Sequence, residues 1–397
     1  MEEWKEYRLK DICIKVTDGS HSSPKAQDTG YPMFSVKDMV EFGFDYSKCK
    51  YISKEDFIRL KDSDCVPLKG DVLVAKDGSY LKEIFVCKET KEEAILSSIA
   101  IFRPNTNYVY SEFLCYLLKT PIVFNYIATN CVSGSALPRI VLKDFKEIIL
   151  NIPSLPTQQK IANILSSLDD KIEVNRRINE NLEAQAQALF KSWFVDFEPF
   201  KDGEFVESEL GMIPKGWRVK RLEEVSKLIA GGDKPDVVSL NKTDDTPYAI
   251  YSNGIDNYGL YGFSDNYRIK EESVTVSARG TIGYVCLREE PYTPIVRLIS
   301  VIPDTNFISA KYMYHSLKIK PIQGTGTTQQ QLTVPMFRNT LLVIPSQELM
   351  DSFTIKVNSM FELRRNNQQE ITRLASLRDT LLPKLMSGEV DVNDVKI

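Results

Sequence analysis

The chain has 397 residues, 26% of them charged, and a formal net charge of −4. Its length predicts two or three domains with sizeable cores. The acidic balance argues against a protein that coats nucleic acid indiscriminately, because such binding depends on neutralising phosphates with Lys and Arg. The composition is still compatible with a protein that binds specific nucleic-acid sequences and concentrates its positive charge on one face.

The N-terminal residues and the cysteines favour a cytoplasmic protein. The opening MEEWKEYRLK is charged, and no stretch of the chain approaches the roughly 18 apolar residues that span a bilayer. The seven cysteines form no CxxC pair, and only His21 and His315 could join them in a metal site. We therefore expect reduced thiols, no metal site and no membrane segment.

The first 150 residues alternate short apolar segments with turn signals. Strands are predicted at residues 31–36 (YPMFSV), 71–75 (DVLVA) and 95–102 (ILSSIAIF), and a helix at residues 111–119. Pairs such as Asp18-Gly19 and Asp77-Gly78 predict turns between them. This half is expected to be a mixed α/β domain.

A long helix is predicted at residues 156–196. Apolar residues from Ile161 to Trp193 recur at alternating steps of four and three, the period of a coiled-coil seam. Asn175 is a polar seam residue, which is expected to fix helix register. The helix ends in an aromatic group that either packs within the chain or docks a partner subunit. Its members are Phe190, Trp193, Phe194 and Phe197.

The second half repeats this plan. Strands are predicted at residues 273–278 and 298–302, a helix at 310–317 and a second long helix at 347–386, with Asn367 as its polar seam residue. LNIPS at residues 150–154 returns as LVIPS at 342–346, at a constant offset of 192 positions, which is 344 minus 152. We expect the two long helices to pair as an antiparallel coiled coil with pseudo-two-fold symmetry. The alternative is that each helix packs only on its own domain.

These strings resemble the specificity subunit of type I restriction-modification systems. The strongest parts are LPTQQKIANILSSLDDKIEVNRRINENLEAQAQALFKSWFVDFEPF at residues 155–200 and LASLRDTLLPKLMSGEV at 374–390, with TDGSHSSP at 17–24 and GDVLVAKDGS at 70–79 as lesser markers. The second helix departs from the pattern, since it begins QELMDSF. The resemblance implies target-recognition domains at residues 1–154 and 201–345, and long helices at 155–200 and 346–397.

The resemblance also implies a function. Such a chain reads an asymmetric, bipartite site in double-stranded DNA, one block per recognition domain, with the helices as a ruler for the gap. It docks two modification (adenine methyltransferase) subunits and the ATP-dependent restriction subunits. S-adenosylmethionine, ATP and magnesium would be bound by those partners and no cofactor by this chain.

Side chains that can read bases are concentrated where the two halves differ. Gln pairs with adenine, Arg or Lys reads guanine, and Thr methyls contact thymine methyls. The expected DNA-contacting residues of the first half are Lys76, Ser79, Tyr80, Lys82, Ser133, Ser135 and Arg139. Those of the second half are Arg279, Thr281, Tyr284, Thr325, Thr327, Thr328, Gln329, Gln330 and Gln331. The alternative is that both stretches are solvated loops.

No catalytic residue is predicted. A DNA methyltransferase needs a Gly-rich cofactor loop and an Asn or Asp followed by Pro-Pro-aromatic, and neither string occurs. No GxxxxGK[ST] phosphate-binding loop is present. The competing hypothesis is a coiled-coil interaction scaffold without DNA specificity, which the acidic charge and the long helices favour.

Overall fold

The computed structural model describes residues 4–78, 80–134, 138–325 and 330–395. The chain forms two compact units: Met1–Arg177 with Asn367–Ile397, the first unit, and Ile178–Asn366, the second unit. Each unit holds one globular part and a segment of each long helix. The boundaries predicted above separate helices from globular parts instead, and they stay a prediction.

The first unit contains strands, short helices and the beginning of a long helix. Its strands are β1 (Lys5–Arg8), β2 (Cys13–Asp18), β3 (Tyr31–Phe34), β4 (Met39–Val40), β5 (Gly43–Phe44), β6 (Lys50–Ile52), β7 (Val72–Ala75), β8 (Ile84–Val86), β9 (Ala94–Ile95), β10 (Ile99–Pro104), β11 (Val132–Ser133), β12 (Arg139–Ile140) and β13 (Ile149–Ile152). Its helices are α1 (Leu9–Ile12), α2 (Lys54–Asp62), α3 (Ser111–Leu118), α4 (Pro121–Asn130), α5 (Leu142–Lys146) and the long α6 (Leu155–Phe194), which continues into the second unit.

A four-stranded antiparallel sheet forms the centre of the first unit. Its strand order is β2-β10-β7-β8, and the strongly apolar β7 and β10 lie in the middle. Both faces of β7 are buried, which explains its unbroken VLVA sequence. A smaller sheet, β6-β3-β9, packs beside it, and β1 pairs with β13 just before α6.

The second unit repeats this topology. Its strands are β14 (Phe205–Ser208), β15 (Gly211–Pro214), β16 (Arg218–Arg221), β17 (Ser226–Ala230), β18 (Tyr248–Tyr251), β19 (Leu260–Ser264), β20 (Ser273–Ser277), β21 (Val285–Arg288), β22 (Tyr292–Pro294), β23 (Leu298–Pro303) and β24 (Leu341–Ile344). Its helices are α7 (Leu222–Val225), α8 (Ala310–Lys318), α9 (Val334–Phe337) and the long α10 (Gln347–Met386). The sheet β17-β23-β20-β21 corresponds to β2-β10-β7-β8, and β16 pairs with β24 just before α10.

The long helices run antiparallel within the first unit. Asn175 Nδ2 of α6 donates to Glu370 Oε2 of α10 at 2.8 Å, and Lys160 Nζ donates to Asn393 Oδ1, beyond the end of α10, at 2.8 Å. Along the helix pair, residue numbers that increase in α6 therefore lie beside residue numbers that decrease in α10. An apolar seam separates these contacts, made by Leu168, Ile172, Ile371 and Leu374. Asn175 and Asn367 are both buried, and their role in register stays a prediction.

The same direction holds within the second unit. The Phe190 and Phe353 rings lie 5.8 Å apart, and Arg364 donates to Glu183 Oε2 at 2.5 Å. The predicted antiparallel pairing is confirmed in each unit, so a helix that packs only on its own globular domain is the wrong alternative.

A partly buried ionic network joins the helices to a loop of the first unit. Arg378 Nη1 of α10 donates to Asp169 Oδ1 of α6 at 2.6 Å and to Glu41 Oε1 at 2.9 Å. Tyr116 donates its hydroxyl hydrogen to Asp169 Oδ2 at 2.6 Å. Glu41 also accepts from Arg176 at 2.7 Å. Arg378 thus occupies a position in the helix seam, where the carboxylates of Asp169 and Glu41 neutralise its charge.

The different openings of the two long helices have a physical reason. Gln158 of the PTQQKIA string is fully buried and satisfies three backbone groups, donating to the carbonyls of Tyr108 and Pro153 and accepting from the N–H of Tyr110. At the offset of 192 the second helix has Met350, which is also buried but packs as an apolar side chain. The exchange of a polar anchor for an apolar one accounts for the methionine of QELMDSF.

Most predicted elements are present, with one correction. The helices at residues 111–119, 310–317 and 347–386 and the strands around 72–75, 273–277 and 298–303 are confirmed, and the first long helix ends two residues early. The single strand at residues 95–102 is wrong. A turn closed by the Ile99 N–H on the Leu96 carbonyl at 3.0 Å divides it into β9 and β10. In the described ranges, no helix is both long and apolar enough to cross a membrane.

Candidate nucleic-acid interface

The candidate interface of the first unit is built around the turn between β7 and β8. Gly78 and Leu81 adopt left-handed φ angles of 70° and 57°, which reverse the chain tightly. Lys76 begins this turn and is buried, with Nζ donating to Asp18 Oδ2 at 2.7 Å. His21 Nε2 lies 3.2 Å from Asp18 Oδ1. Asp18 therefore joins the two markers at residues 17–24 and 70–79, and a base contact by Lys76 requires its ion pair to open.

The hairpin of β11 and β12 lies directly against this turn. The Ile140 N–H donates to the Lys76 carbonyl at 2.9 Å, and the Gly78 N–H donates to the Pro138 carbonyl at 2.8 Å. Arg139 forms an isolated β-bridge with Asp77. The structure thus brings together Lys76 and Arg139, which are far apart in sequence.

The other predicted residues of the first unit surround this junction. The Tyr80 ring stacks on Phe124 of α4 at 6.3 Å and is partly buried against the core. The Lys82 side chain is 73% exposed, and Ser133 is an exposed residue of β11. Ser79 and Ser135 lie outside the described residues.

The candidate interface of the second unit is the turn between β20 and β21 together with the loop that precedes α9. Arg279 Nε and Nη2 both donate to Gln331 Oε1, at 3.0 and 2.5 Å. Thr325 and Gln331 exchange two backbone hydrogen bonds of 3.0 Å. The Leu332 N–H donates to the Ala278 carbonyl at 2.9 Å, which fixes the loop on the turn.

The remaining predicted residues of the second unit have different surroundings. Thr281 Oγ1 donates to the Asn253 carbonyl at 2.6 Å. Burial, and then the neighbouring Cys286, raise the pKa of Tyr284, so its hydroxyl stays protonated. Gln330 is exposed. The residues Thr327, Thr328 and Gln329 lie outside the described ranges.

The two turns share one backbone framework. In the first unit the Leu81 N–H donates to the Ala75 carbonyl at 2.8 Å. In the second unit the Gly283 N–H donates to the Ser277 carbonyl at 3.0 Å. This closing bond spans six residues in each turn, so the positions between its ends match at an offset of 202, which is 277 minus 75. Beyond it the second turn is one residue shorter, because the Ala75 N–H donates to the Glu83 carbonyl and the Ser277 N–H to the Tyr284 carbonyl.

Matched positions in this framework carry different polar side chains. Asp77 of the first unit corresponds to Arg279 of the second. Arg139 corresponds to Gln331, at the same offset of 192 as the repeat. In the first unit these two positions are joined by a backbone bridge between Asp77 and Arg139. In the second unit they are joined by side-chain hydrogen bonds from Arg279 to Gln331. An equivalent frame therefore presents different donors and acceptors.

The charge at these positions suits an anionic ligand. No carboxylate lies within 4.0 Å of the Arg139 or Arg279 guanidinium among the residues that the structure describes. Both arginines are exposed. Lys82 adds an exposed ammonium in the first unit, with Glu83 Oε1 at 3.9 Å from its Nζ. Exposed cations and amides on a rigid frame can bind phosphates and read base edges.

Sequence reasoning missed the loop at residues 252–259. Asn253 Nδ2 donates to the Arg279 carbonyl at 2.8 Å, and the Asn253 carbonyl accepts from Thr281. The string SNGIDNYG is rich in turn formers, which is the one signal that could have singled it out. It lies between two strands that the sequence analysis did not predict.

The aromatic group at the end of α6 belongs to the core of the second unit. Phe190 and Phe194 are almost fully buried, and the Phe194 ring lies 4.8 Å from Tyr312. Trp193 and Phe197 are partly buried against the same core. Of the two alternatives, packing within the chain fits this burial, whereas docking of a partner stays a prediction for the exposed parts of Trp193 and Phe197.

In the part of the chain that the structure describes, no three His, Cys, Asp or Glu side chains are grouped closely enough to hold a metal ion.

Known proteins with the same sequence pattern are specificity subunits. The family model for the type I restriction modification DNA specificity domain matches residues 1–184 and 214–373. The type I restriction enzyme HindI specificity subunit of Haemophilus influenzae is 28% identical, and the match covers 98% of this chain and 100% of that protein. The MjaIX specificity subunit of Methanocaldococcus jannaschii is 32% identical, with 99% and 95% covered.

A solved structure shows the same fold. A type I restriction-modification system S subunit from M. genitalium superposes with a TM-score of 0.58 at 17% identity, covering 97% of this chain and 96% of that one. The repeated topology, the paired helices and the match of the family model to both halves lead to one assignment. The chain belongs to the DNA specificity subunits of type I restriction-modification systems.

Proposed function

We propose that this chain reads a bipartite site in double-stranded DNA, one block with each unit. The observation that carries the proposal is the common frame of the two turns, in which Asp77 and Arg139 are replaced by Arg279 and Gln331. A common frame suits the repeating grooves of a duplex, and different side chains on it suit two different blocks. The site is then asymmetric, unlike the palindrome that a homodimer reads.

The second unit offers the sharper reading head. Gln331 orients the Arg279 guanidinium by accepting from two of its N–H groups, which lowers the entropy lost on binding a base. Among the residues that the structure describes, Arg279 Nη1 and the Gln331 amide N–H₂ make no side-chain hydrogen bond. The Nη1 edge of Arg279 suits the acceptors of guanine, and the Gln331 amide suits a base acceptor. In the first unit the exposed cation of this frame is Arg139, at the position that Gln331 holds in the second unit.

The long helices are the proposed docking surfaces for modification and restriction subunits. Each unit exposes apolar side chains on its segments of the long helices. Exposed apolar surface of this kind is typical of a protein–protein interface. In the first unit these are Val174 and Leu377, at 48% and 43% exposure. In the second unit they are Ile178, Ile355 and Leu363. Methyl transfer, with S-adenosylmethionine, and ATP-driven restriction, with magnesium, are assigned to those partners, and this chain is not catalytic.

The test uses the complex of this chain with its modification subunits and a randomised duplex library. Arg279→Ala is expected to weaken preference at one position of one block by about 1–3 kcal/mol while the other block keeps its preference. Arg218→Ala is the control, because Arg218 is an exposed arginine of β16 in the same unit. Equal loss over all sequences would show a phosphate contact instead.

The competing scaffold hypothesis makes a different prediction for the same experiment. A coiled-coil scaffold without DNA specificity gives no sequence-selective binding, even with the modification subunits present. Selective binding whose affinity falls with salt supports the DNA-reading function.

A further inference from the structure

The loop at residues 252–259, here called the Asn253 loop, holds a tyrosine in a strained and exposed position. The loop is closed at its base, where the Ser252 N–H donates to the Gly259 carbonyl at 2.8 Å. Asn257 and Tyr258 have φ angles of 46° and 55°, in the left-handed region. This conformation is rare for a bulky residue. The Tyr258 side chain is 53% exposed, so burial of its ring does not explain why a tyrosine occupies the position.

A buried arginine supports the strained tyrosine from below. Arg288 is 6% exposed, and its Nη2 donates to the Tyr258 carbonyl at 2.8 Å. Its Nε donates to Thr275 Oγ1 at 2.9 Å, and the guanidinium carbon lies 3.5 Å from the centre of the Tyr251 ring. No carboxylate pairs with Arg288 within the described ranges. Because buried charges are normally paired with an opposite charge, this arrangement requires an explanation other than an ion pair.

The Asn253 loop is fixed to the turn that carries Arg279. Asn253 Nδ2 donates to the Arg279 carbonyl at 2.8 Å, and Thr281 Oγ1 donates to the Asn253 carbonyl at 2.6 Å. Tyr258 also lies close enough to Tyr284 to contribute to its raised pKa, after burial and Cys286. The loop and the turn therefore form one rigid surface.

The corresponding loop of the first unit has a different role. Both loops follow the strand that pairs in parallel within the smaller sheet, β3 in the first unit and β18 in the second. In the first unit Glu41 binds Arg176 and Arg378 of the long helices, and the Arg176 guanidinium lies over the Phe42 ring at 5.4 Å. This loop thus packs on the long helices. We therefore expect no residue of the first unit to have the role of Tyr258.

We infer that Tyr258 is a specificity-determining residue of the second unit, whose ring contacts a base edge in the block that Arg279 reads, and that Arg288 is its positioning residue. The inference rests on the proposed DNA-reading function. An exposed aromatic ring on a rigid frame suits an apolar contact with a thymine methyl. Strain of this kind is retained where a function requires the conformation.

The test compares Tyr258→Gly and Tyr258→Phe in the complex with the modification subunits, bound to a randomised duplex library. Glycine relieves the left-handed strain, so the Tm of Tyr258→Gly is expected to equal or exceed that of the wild type. Its preference at one or two adjacent positions of the second block is expected to fall about tenfold or more. Tyr258→Phe keeps the ring and is expected to keep the preference. Met212→Ala, at an exposed apolar residue of β15, is the surface control.

Arg288→Lys tests the positioning role, because lysine keeps the charge but loses the planar stack on Tyr251. It is expected to weaken the same positions as Tyr258→Gly and to leave the first block unchanged. Equal loss in both blocks would show general destabilisation and overturn the positioning role. Retained second-block preference in Tyr258→Gly, or its loss in Tyr258→Phe, overturns the ring contact. A wild-type complex without sequence selectivity overturns the proposed function itself, and this inference with it.

Discussion

Replacement of Arg378 by Met removes the charge that neutralises the buried Asp169 carboxylate. The Arg378 side chain is 17% exposed and that of Asp169 is 9% exposed. Removing one partner of a buried ion pair costs about 3–5 kcal/mol, because the other charge is left uncompensated. Tyr116 still donates to Asp169 at 2.6 Å, so we expect the lower end of that range. The Tm should fall by roughly 6–12 °C if 3 kcal/mol is lost from a unit of this size.

The measurement is thermal unfolding of the full chain by calorimetry, with two reference variants. Arg373→Met is the control, since Arg373 is exposed on the same helix, and it is expected to change stability by less than about 0.5 kcal/mol. The double variant Asp169→Asn with Arg378→Met removes both charges but keeps an acceptor for Tyr116. It should recover most of the lost stability. A Tm for Arg378→Met equal to that of the control, or a double variant as unstable as the single one, would refute the reasoning.

Three further predictions follow from packing and charge. Phe194→Ala should destabilise the second unit by about 3–5 kcal/mol. Binding of the modification subunits below the unfolding temperature should stay intact. Lost binding with an unchanged Tm would show that Phe194 docks a partner subunit instead. Gly231→Ala should cost roughly 1–3 kcal/mol in urea unfolding, because its Cβ would lie 2.0 Å from a carbonyl oxygen of the β22–β23 turn; wild-type stability would contradict this close approach. Burial opposes ionisation of Glu41, yet hydrogen bonds from Arg378 and Arg176 hold its pKa below the usual value. The ionised Glu41 carboxylate therefore adds to the free energy of unfolding above its unfolded pKa, and this contribution is lost as the pH falls through the folded pKa. Glu41→Gln should make the stability measured by urea unfolding depend less on pH in the acid range. A wild-type pH profile in this variant would count against the reasoning.

The long helices could be predicted from sequence because their signal is local and repeated. The seam period fixed the second helix at the residues that the structure has, Gln347–Met386. The strand at residues 95–102 could not be divided in the same way. Its break depends on Ser98, whose Oγ accepts from the distant Val36 N–H and whose carbonyl accepts from the Lys76 N–H.

The candidate site was predicted in outline but not in detail, for a similar reason. Lys76 was chosen for its charge, but its partner Asp18 lies 58 residues away in the sequence and becomes a neighbour only in the folded sheet. Arg279 and Gln331 were both singled out, whereas their bond to each other depends on the loop folding back onto the turn. Tyr258 gave no signal, since backbone strain and a buried Arg288 beneath it are properties of the fold alone.

The most direct test of the central claim is a map of methylated adenines in cells that carry the modification subunits, with and without this chain. If each unit reads its own block, methylation should occur only with the chain present and should define two short, different blocks separated by a fixed number of unspecified bases. In Arg279→Ala cells, one of these blocks should become less specific. An unchanged methylation pattern without the chain, or a single continuous motif with it, would contradict the account.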